Sequence, residues 1–351
     1  MKAVRIKKFG GPEEVVVEEI PVPVPSAGEV LVRVVAAGVA PWDALIRSGG
    51  SKVSPQPPLT LGSDLSGVVA YVGSGATHFS VGDEVYGVTN PQFCGAQAEY
   101  AVVQTGMIAL KPQSLSFLDA ASIPVIAVTA WQMLFEYAQV KSGETVMILG
   151  AAGNVGAYVV QMALDAGLNV VAVAREKDEQ ILRDLGASDI VQSDTALFKG
   201  LSSSVDVILD MVGAGILERC LDALKQGGRV VSVATAGPLP QKPNLQITFF
   251  YADVTAGRLQ HLNMLLESGK ITARVGSVLP LENARAAHRM LAGAPHKPGK
   301  IILQTDLKGT YAPHRQEVRL FAAPTGSTKM GPRTDLQNTE SHARPYRCET
   351  P

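Results

Sequence analysis

The run Gly150-Ala151-Ala152-Gly153-Asn154-Val155-Gly156 joins an apolar β-type segment, Val146-Met147-Ile148-Leu149, to a stretch with helical patterning from Val155 to Ala166. A strand that turns through three glycines directly into a helix constrains the fold more than anything else in the chain, because it is the opening unit of a parallel α/β sheet. In such a unit Gly153 lets backbone approach a pyrophosphate and Gly156 lets the helix pack close to the sheet. The N–H groups at the helix start, those of Asn154 and Val155 among them, face the phosphates. The plainer reading of the same glycines is a tight turn with no ligand.

Beyond the turn the unit repeats. A strand at Val170 to Ala174, a helix at Glu179 to Leu185, a strand at Val205 to Asp210, a helix around Leu217 to Leu224 and a strand at Arg229 to Val233 alternate in order. This predicts a doubly wound parallel sheet. Upstream the texture differs: short β-rich runs such as Val30 to Val35 and Gly67 to Val72 are broken by Gly/Pro turns, as in an antiparallel barrel. The expected organisation is an all-β domain over 1–124, a dinucleotide-binding domain over 125–270, and a return over about 271–306 whose strand at Lys300 to Leu303 rejoins the first domain. From Leu307 to Pro351 seven Lys/Arg, four Asp/Glu and five Pro occur without apolar periodicity. That segment is expected to be a disordered tail.

The end of the second α/β strand bears on the choice of dinucleotide. An acid that would bind the ribose hydroxyls is expected about 20 residues past the first glycine, yet the residue 24 positions past Gly150 is Ala174. Arg175 and, after Glu176, Lys177 supply cations suited to a 2′-phosphate. The expected cofactor is NADP(H). A solvated, charged helix start is the competing reading of Lys177.

Composition narrows the partners. Formal net charge is −1, with no basic excess to draw nucleic acid or an acidic membrane surface, and the start of the chain lacks a signal-peptide core. A cytoplasmic enzyme acting on small molecules is expected, with a homodimer kept open. Cys94, Cys220 and Cys348 form no C-x-x-C pair, so neither a disulfide framework nor a thiolate zinc knuckle is expected. The six histidines show no metal-ligand or triad spacing.

Beyond these patterns, the span from Met1 to about Asp306 resembles the medium-chain dehydrogenase/reductase superfamily, and most of all its zinc-independent quinone-oxidoreductase branch. The resemblance lies in Gly38-Val39-Ala40-Pro41-Trp42-Asp43, Leu61 to Val69, Val81-Gly82-Asp83-Glu84-Val85-Tyr86-Gly87, Ala98-Glu99-Tyr100 and Gly150 to Gly156. It implies a GroES-like barrel and a Rossmann domain with the active site in the cleft between them. By the same resemblance, Ala40, Ser63 and Val125 stand where zinc-dependent relatives carry metal ligands, and Trp42 stands where they carry a proton-relaying hydroxyl. The structural-zinc lobe would belong between Tyr86 and Tyr100, where Cys94 is the only cysteine. No metal site is expected.

Without a Lewis acid, negative charge arising on an acceptor must meet hydrogen-bond donors or be delocalised by the acceptor itself. The expected reaction is therefore hydride transfer from NADPH to a small electrophile: a quinone, enone, aldehyde or ketone. The resemblance places Trp42, Asp43, Tyr86 and Asn90 at the pocket, with Tyr86 as a packed strand residue in the competing reading. It adds Thr129, Val212, Gly213, Phe249 and Phe250 to Gly150, Ala152, Gly153, Asn154, Val155, Gly156, Ala174, Arg175 and Lys177 as cofactor contacts. A non-catalytic NADPH-binding protein, redox-sensing or structural, would keep the same glycine turn.

Overall fold

The computed structural model describes residues 1–193, 202–213, 215–234 and 245–305, all within one compact unit, Met1–Tyr311. The expected tail over 307–351 lies outside them. The chain begins with β1 (Lys2–Ile6), β2 (Val16–Glu19), β3 (Glu29–Val39), α1 (Pro41–Ser48), β4 (Leu59–Thr60), β5 (Asp64–Val72), β6 (Glu84–Val88), β7 (Tyr100–Gln104) and β8 (Ile108–Leu110). Helices α2 (Phe117–Ala121) and α3 (Pro124–Trp131) lead out of the barrel, and α3 runs on into a π-helical turn, Gln132–Tyr137.

The second part holds β9 (Thr145–Leu149), α4 (Asn154–Asp165), β10 (Asn169–Ala174), α5 (Glu179–Asp184), β11 (Asp189–Gln192), β12 (Val205–Asp210), α6 (Ile216–Cys220), β13 (Leu224–Ser232) and β14 (Ile247–Phe249). Its six-stranded sheet has the order β11-β10-β9-β12-β13-β14, every pair parallel. Strands covered on both faces must be apolar almost throughout, and Val146, Met147, Ile148 and Leu149 of β9 are all fully buried. The strand order reverses beside β9, which opens a crevice at the carboxyl ends of β9 and β12.

The chain then returns through α7 (Ala256–Glu267), β15 (Val275–Pro280), α8 (Ala284–Leu291) and β16 (Lys300–Gln304). β16 pairs antiparallel with the end of β3, Ile301 opposite Val39 and Gln304 opposite Ala36. This completes a seven-stranded sheet with path β15-β16-β3-β5-β6-β8 and β7 also on β3. β3 is thus paired along both edges, which accounts for its nearly unbroken burial. One apolar cluster joins Val4, Ile6, Val39, Ile46 and Leu61 to Leu281, Ala287, Ile301 and Leu303, so the return is part of the barrel core.

Helix α1 corrects the all-β expectation for the first domain. Pro41 opens it and Gly49 follows its last residue, the usual punctuation of a helix, and α1 carries Trp42 and Asp43 to the barrel mouth. A further tie fastens β6 to α7: the Tyr86 hydroxyl donates to Asn263 Oδ1 at 2.6 Å and also lies 3.1 Å from the Leu259 carbonyl oxygen.

Candidate active site

The crevice is built first by backbone. Gly150 sits at φ 81°, and Gly153, whose N–H donates to the Gly150 carbonyl at 2.9 Å, is the residue before α4. A Cβ on Gly156 would lie 2.3 Å from the Gly150 carbonyl oxygen and 2.8 Å from the Ala151 Cα. Only glycine lets α4 pack this tightly on the turn. No side chain caps the first turn of α4, so its leading N–H groups stay available for phosphate oxygens.

At the neighbouring strand end, Asp210 winds the turn that bears Val212 and Gly213. Its Oδ1 accepts their N–H groups at 3.0 and 2.9 Å, while Oδ2 accepts the Ser232 hydroxyl at 2.7 Å. Val212 is thereby pressed over the glycine turn: a Cβ on Gly150 would meet Val212 Cγ2 at 2.8 Å. The structure therefore brings the expected Gly150 and Val212 together through an acid that sequence reasoning missed. The signal was an Asp closing an apolar strand just before Met-Val-Gly.

At the end of β10, Ala174 is buried and offers no side-chain partner. Arg175 reaches back to Asp178, Nε to Oδ2 at 2.7 Å, with its side chain 67% exposed. Its Nη nitrogens take no hydrogen bond among the described residues. Lys177 is exposed beside it. Thr129, itself buried, donates its hydroxyl to the Val125 carbonyl at 2.6 Å within α3.

The barrel mouth holds a buried polar cluster. Lys300, fully buried at the start of β16, places Nζ 2.5 Å from Asp64 Oδ2 and 4.3 Å from the centre of the Trp42 ring. Asp64 Oδ1 accepts the Val125 N–H at 3.1 Å, so one carboxylate ties β5, α3 and β16 together. Room for the ammonium comes from Gly38, where a Cβ would lie 2.7 Å from Lys300 Cε and 2.9 Å from Asp64 Cβ. The Trp42 Nε1–H donates to Ser63 Oγ at 2.9 Å, so the indole N–H is already engaged. Lys300 was invisible to sequence reasoning, since a lysine after glycine reads as a solvated strand start.

Three of the four expected pocket residues already have partners within the protein. Asp43 is fully buried at the start of α1, where Oδ2 accepts the Ala40 N–H at 2.8 Å and Oδ1 has no partner. Burial pushes its pKa up to about 7, against the opposing pull of Lys300 and the Ala40 N–H. Its carboxylate thereby closes the first turn of α1. Tyr86 is fully buried and its hydroxyl is bonded to α7. Asn90 brackets its own loop: Oδ1 accepts the Gln92 N–H at 3.0 Å and Nδ2 donates to the Cys94 carbonyl at 2.8 Å. Among the aromatic pair, Phe250 is buried and stacks on Tyr137 with centroids 4.1 Å apart, while Phe249 meets Tyr251 edge-on.

The described residues contain no group of three or more His, Cys, Asp or Glu able to hold a metal, and no helix among them is long and apolar enough to cross a membrane. Cys220 is buried, and burial pushes its thiol up to about 12.

Known proteins carry the same architecture. Residues 26–113 match the family described as alcohol dehydrogenase GroES-like domain, and residues 185–303 match that described as zinc-binding dehydrogenase. A quinone oxidoreductase of Sus scrofa is 33% identical over 323 residues, 86% of this chain and 97% of that protein. The chloroplastic NADPH-dependent alkenal/one oxidoreductase of Arabidopsis thaliana is 31% identical over 315 residues, 86% of this chain and 79% of that protein. The solved quinone oxidoreductase from Coxiella burnetii superposes with a TM-score of 0.80 at 29% identity, covering 87% of this chain and 99% of that one. With a parallel sheet opened by the glycine turn, a barrel completed by the returning strand β16 and relatives matched over 79–99% of their own length, this chain belongs to the quinone-oxidoreductase-like group of the medium-chain dehydrogenase/reductase superfamily.

Proposed function

We propose that this protein is an NADPH-dependent, zinc-independent reductase of small electrophilic acceptors: quinones, enones, aldehydes or ketones. The observation that carries the reading is the content of the barrel mouth. At the three places where zinc-dependent relatives bind metal stand Ala40, Ser63 and Val125, and beside them lie the Asp64–Lys300 pair and the Trp42 ring. The glycine turn, with no space for a Cβ at Gly156 and uncapped N–H groups on α4, suits a dinucleotide pyrophosphate. Arg175, with Nη groups free of partners among the described residues, suits a 2′-phosphate.

When bound, the cofactor would supply the hydride. The chain's own residues bind and orient: α4 meets the phosphates, Val212 covers the turn, and Trp42 with Phe93 forms apolar walls between the barrel core and the α3 core. Among the described residues the mouth gathers no His, Cys, Asp or Glu cluster able to hold a metal, and acceptors that spread the incoming charge over a conjugated system suit it best. The alkenal/one and quinone names of the relatives agree with that choice.

The test is oxidation of NADPH and NADH across a panel of quinones, enones, aldehydes and ketones, before and after exhaustive chelation with metal analysis. Turnover should be fastest with NADPH and conjugated acceptors and unchanged by chelation. NADPH binding without turnover on any acceptor would leave the non-catalytic reading standing. One zinc per chain, lost together with activity, would refute zinc independence.

A further inference from the structure

Backbone N–H groups dominate the phosphate side of the glycine turn, but one cation reaches that turn from the far end of the chain. Thr272, between α7 and β15, donates both its N–H (2.8 Å) and its hydroxyl (3.1 Å) to Gln161 Oε1 on α4. Two residues later the Arg274 carbonyl accepts the N–H of Lys300 at 2.9 Å. Arg274 is thus pinned between the helix that leaves the glycine turn and the strand that closes the barrel.

Its guanidinium lies against the turn itself, with Nη1 3.4 Å from the carbonyl oxygen of Ala152. That contact is long and made to a neutral acceptor, well short of what a charged donor can gain. The side chain is partly buried, and burial pulls its pKa below the usual arginine value while Tyr158 and Asp178 pull the other way. Asp178 is already paired with Arg175. Among the described residues no carboxylate comes within ion-pair distance of Arg274. A partly desolvated cation held this way is costly until an anion arrives, and the anion suited to this turn is a phosphate.

We infer that Arg274 is a cofactor-binding residue whose guanidinium pairs with the pyrophosphate of the nicotinamide dinucleotide at the Gly150–Gly153 turn. The assignment rests on the proposed dinucleotide function of that turn. It adds a contact supplied by the return segment, so the phosphates are held from both the nucleotide sheet and the chain that rejoins the barrel. The pyrophosphate is common to NADPH and NADH, whereas the 2′-phosphate that Arg175 suits belongs to NADPH alone. The two arginines therefore predict different signatures.

The experiment is fluorescence titration of NADPH and NADH on wild type, Arg274→Ala, Arg274→Lys and Arg175→Ala, with circular dichroism of each unliganded protein. Arg274→Ala should weaken both cofactors by the same factor, about 10- to 100-fold, as for loss of a charged hydrogen bond. Arg274→Lys should recover part of that loss, and Arg175→Ala should weaken NADPH alone. Unchanged affinities in a folded Arg274→Ala, or in Arg274→Gln should the alanine variant not fold, would overturn the inference. So would a loss confined to NADPH, which would move Arg274 to the 2′-phosphate. If wild type binds neither dinucleotide, the cofactor reading itself fails and the inference falls with it.

Discussion

Lys300 and Asp64, 236 residues apart in sequence, meet at 2.5 Å with both side chains 1% exposed. Removing one partner of such a pair strands the other charge in the core, at a cost of about 3–5 kcal/mol. Lys300→Met should lose about that much in urea denaturation. Lys300→Met combined with Asp64→Asn should regain most of it, because Asn can still accept the Val125 N–H. A single-variant cost below about 1 kcal/mol would show that the pair contributes little to the barrel's closure.

Two buried groups should give stability slopes of opposite sign against pH. His288, fully buried on α8, accepts a hydrogen bond from Arg47 Nη1 at 2.9 Å, and burial together with that arginine holds its pKa down at about 3, from an ordinary 6.5. Between those values the unfolded chain binds the proton and the native one does not, so stability falls as pH drops from about 6.5 toward 3. Asp43 behaves in reverse: with a native pKa of about 7 against 3.8, the native state holds the extra proton, and stability falls as pH rises from about 4 to 7. In the shared window the two slopes oppose each other. Relative to wild type, Asp43→Asn should make stability climb more steeply with pH, and His288→Gln should make it climb less or fall. Urea melts at pH 4.5, 5.5 and 6.5 would read both signs, and equal slopes in all three proteins would refute the assignment.

Cofactor preference should track Arg175. Its side chain is 67% exposed, so Arg175→Ala is expected at the low end of a charged hydrogen bond's range, roughly a tenfold loss of NADPH affinity. NADH should move less than about twofold. A wild type that prefers NADH, or a variant that loses both equally, would remove the 2′-phosphate from this residue.

Tyr86 is placed as a staple between β6 and α7, and its kinetics should show that. Tyr86→Phe removes the bond to Asn263 and the contact with the Leu259 carbonyl, costing about 1 kcal/mol of stability, as for loss of one hydrogen bond. KM for the acceptor should stay within about twofold. A large rise in KM with unchanged stability would return Tyr86 to the pocket.

The parallel sheet was legible because its signals are local: an apolar run, a glycine turn and a helix within about twenty residues state one supersecondary unit. The strand Val205–Asp210 was read at its observed bounds, and the strand before the glycine turn to within one residue of Thr145–Leu149. The barrel mouth was less legible because its partners are distant in sequence. Nothing near Lys300 announces that it will be buried against Asp64, and nothing near Arg274 announces the glycine turn. The contacts of Asn90 were hidden for a related reason: its amide brackets its own loop, which only the loop's closure reveals. Helix α1 escaped notice because eight residues within a β-rich region carry too short a periodicity to outweigh their surroundings.

The pairing of β16 with β3 also bears on how the chain must be made. On the ribosome the barrel strands emerge long before Leu281, Ala287, Ile301 and Leu303, which cover Val4, Ile6, Val39, Ile46 and Leu61. During all of that interval a nascent barrel shows its apolar face to solvent and keeps one edge of the far end of β3 unpaired. Synthesis of the whole nucleotide sheet thus sets the length of a holding period, during which this surface is a ready client for a chaperone and a template for wrong pairing.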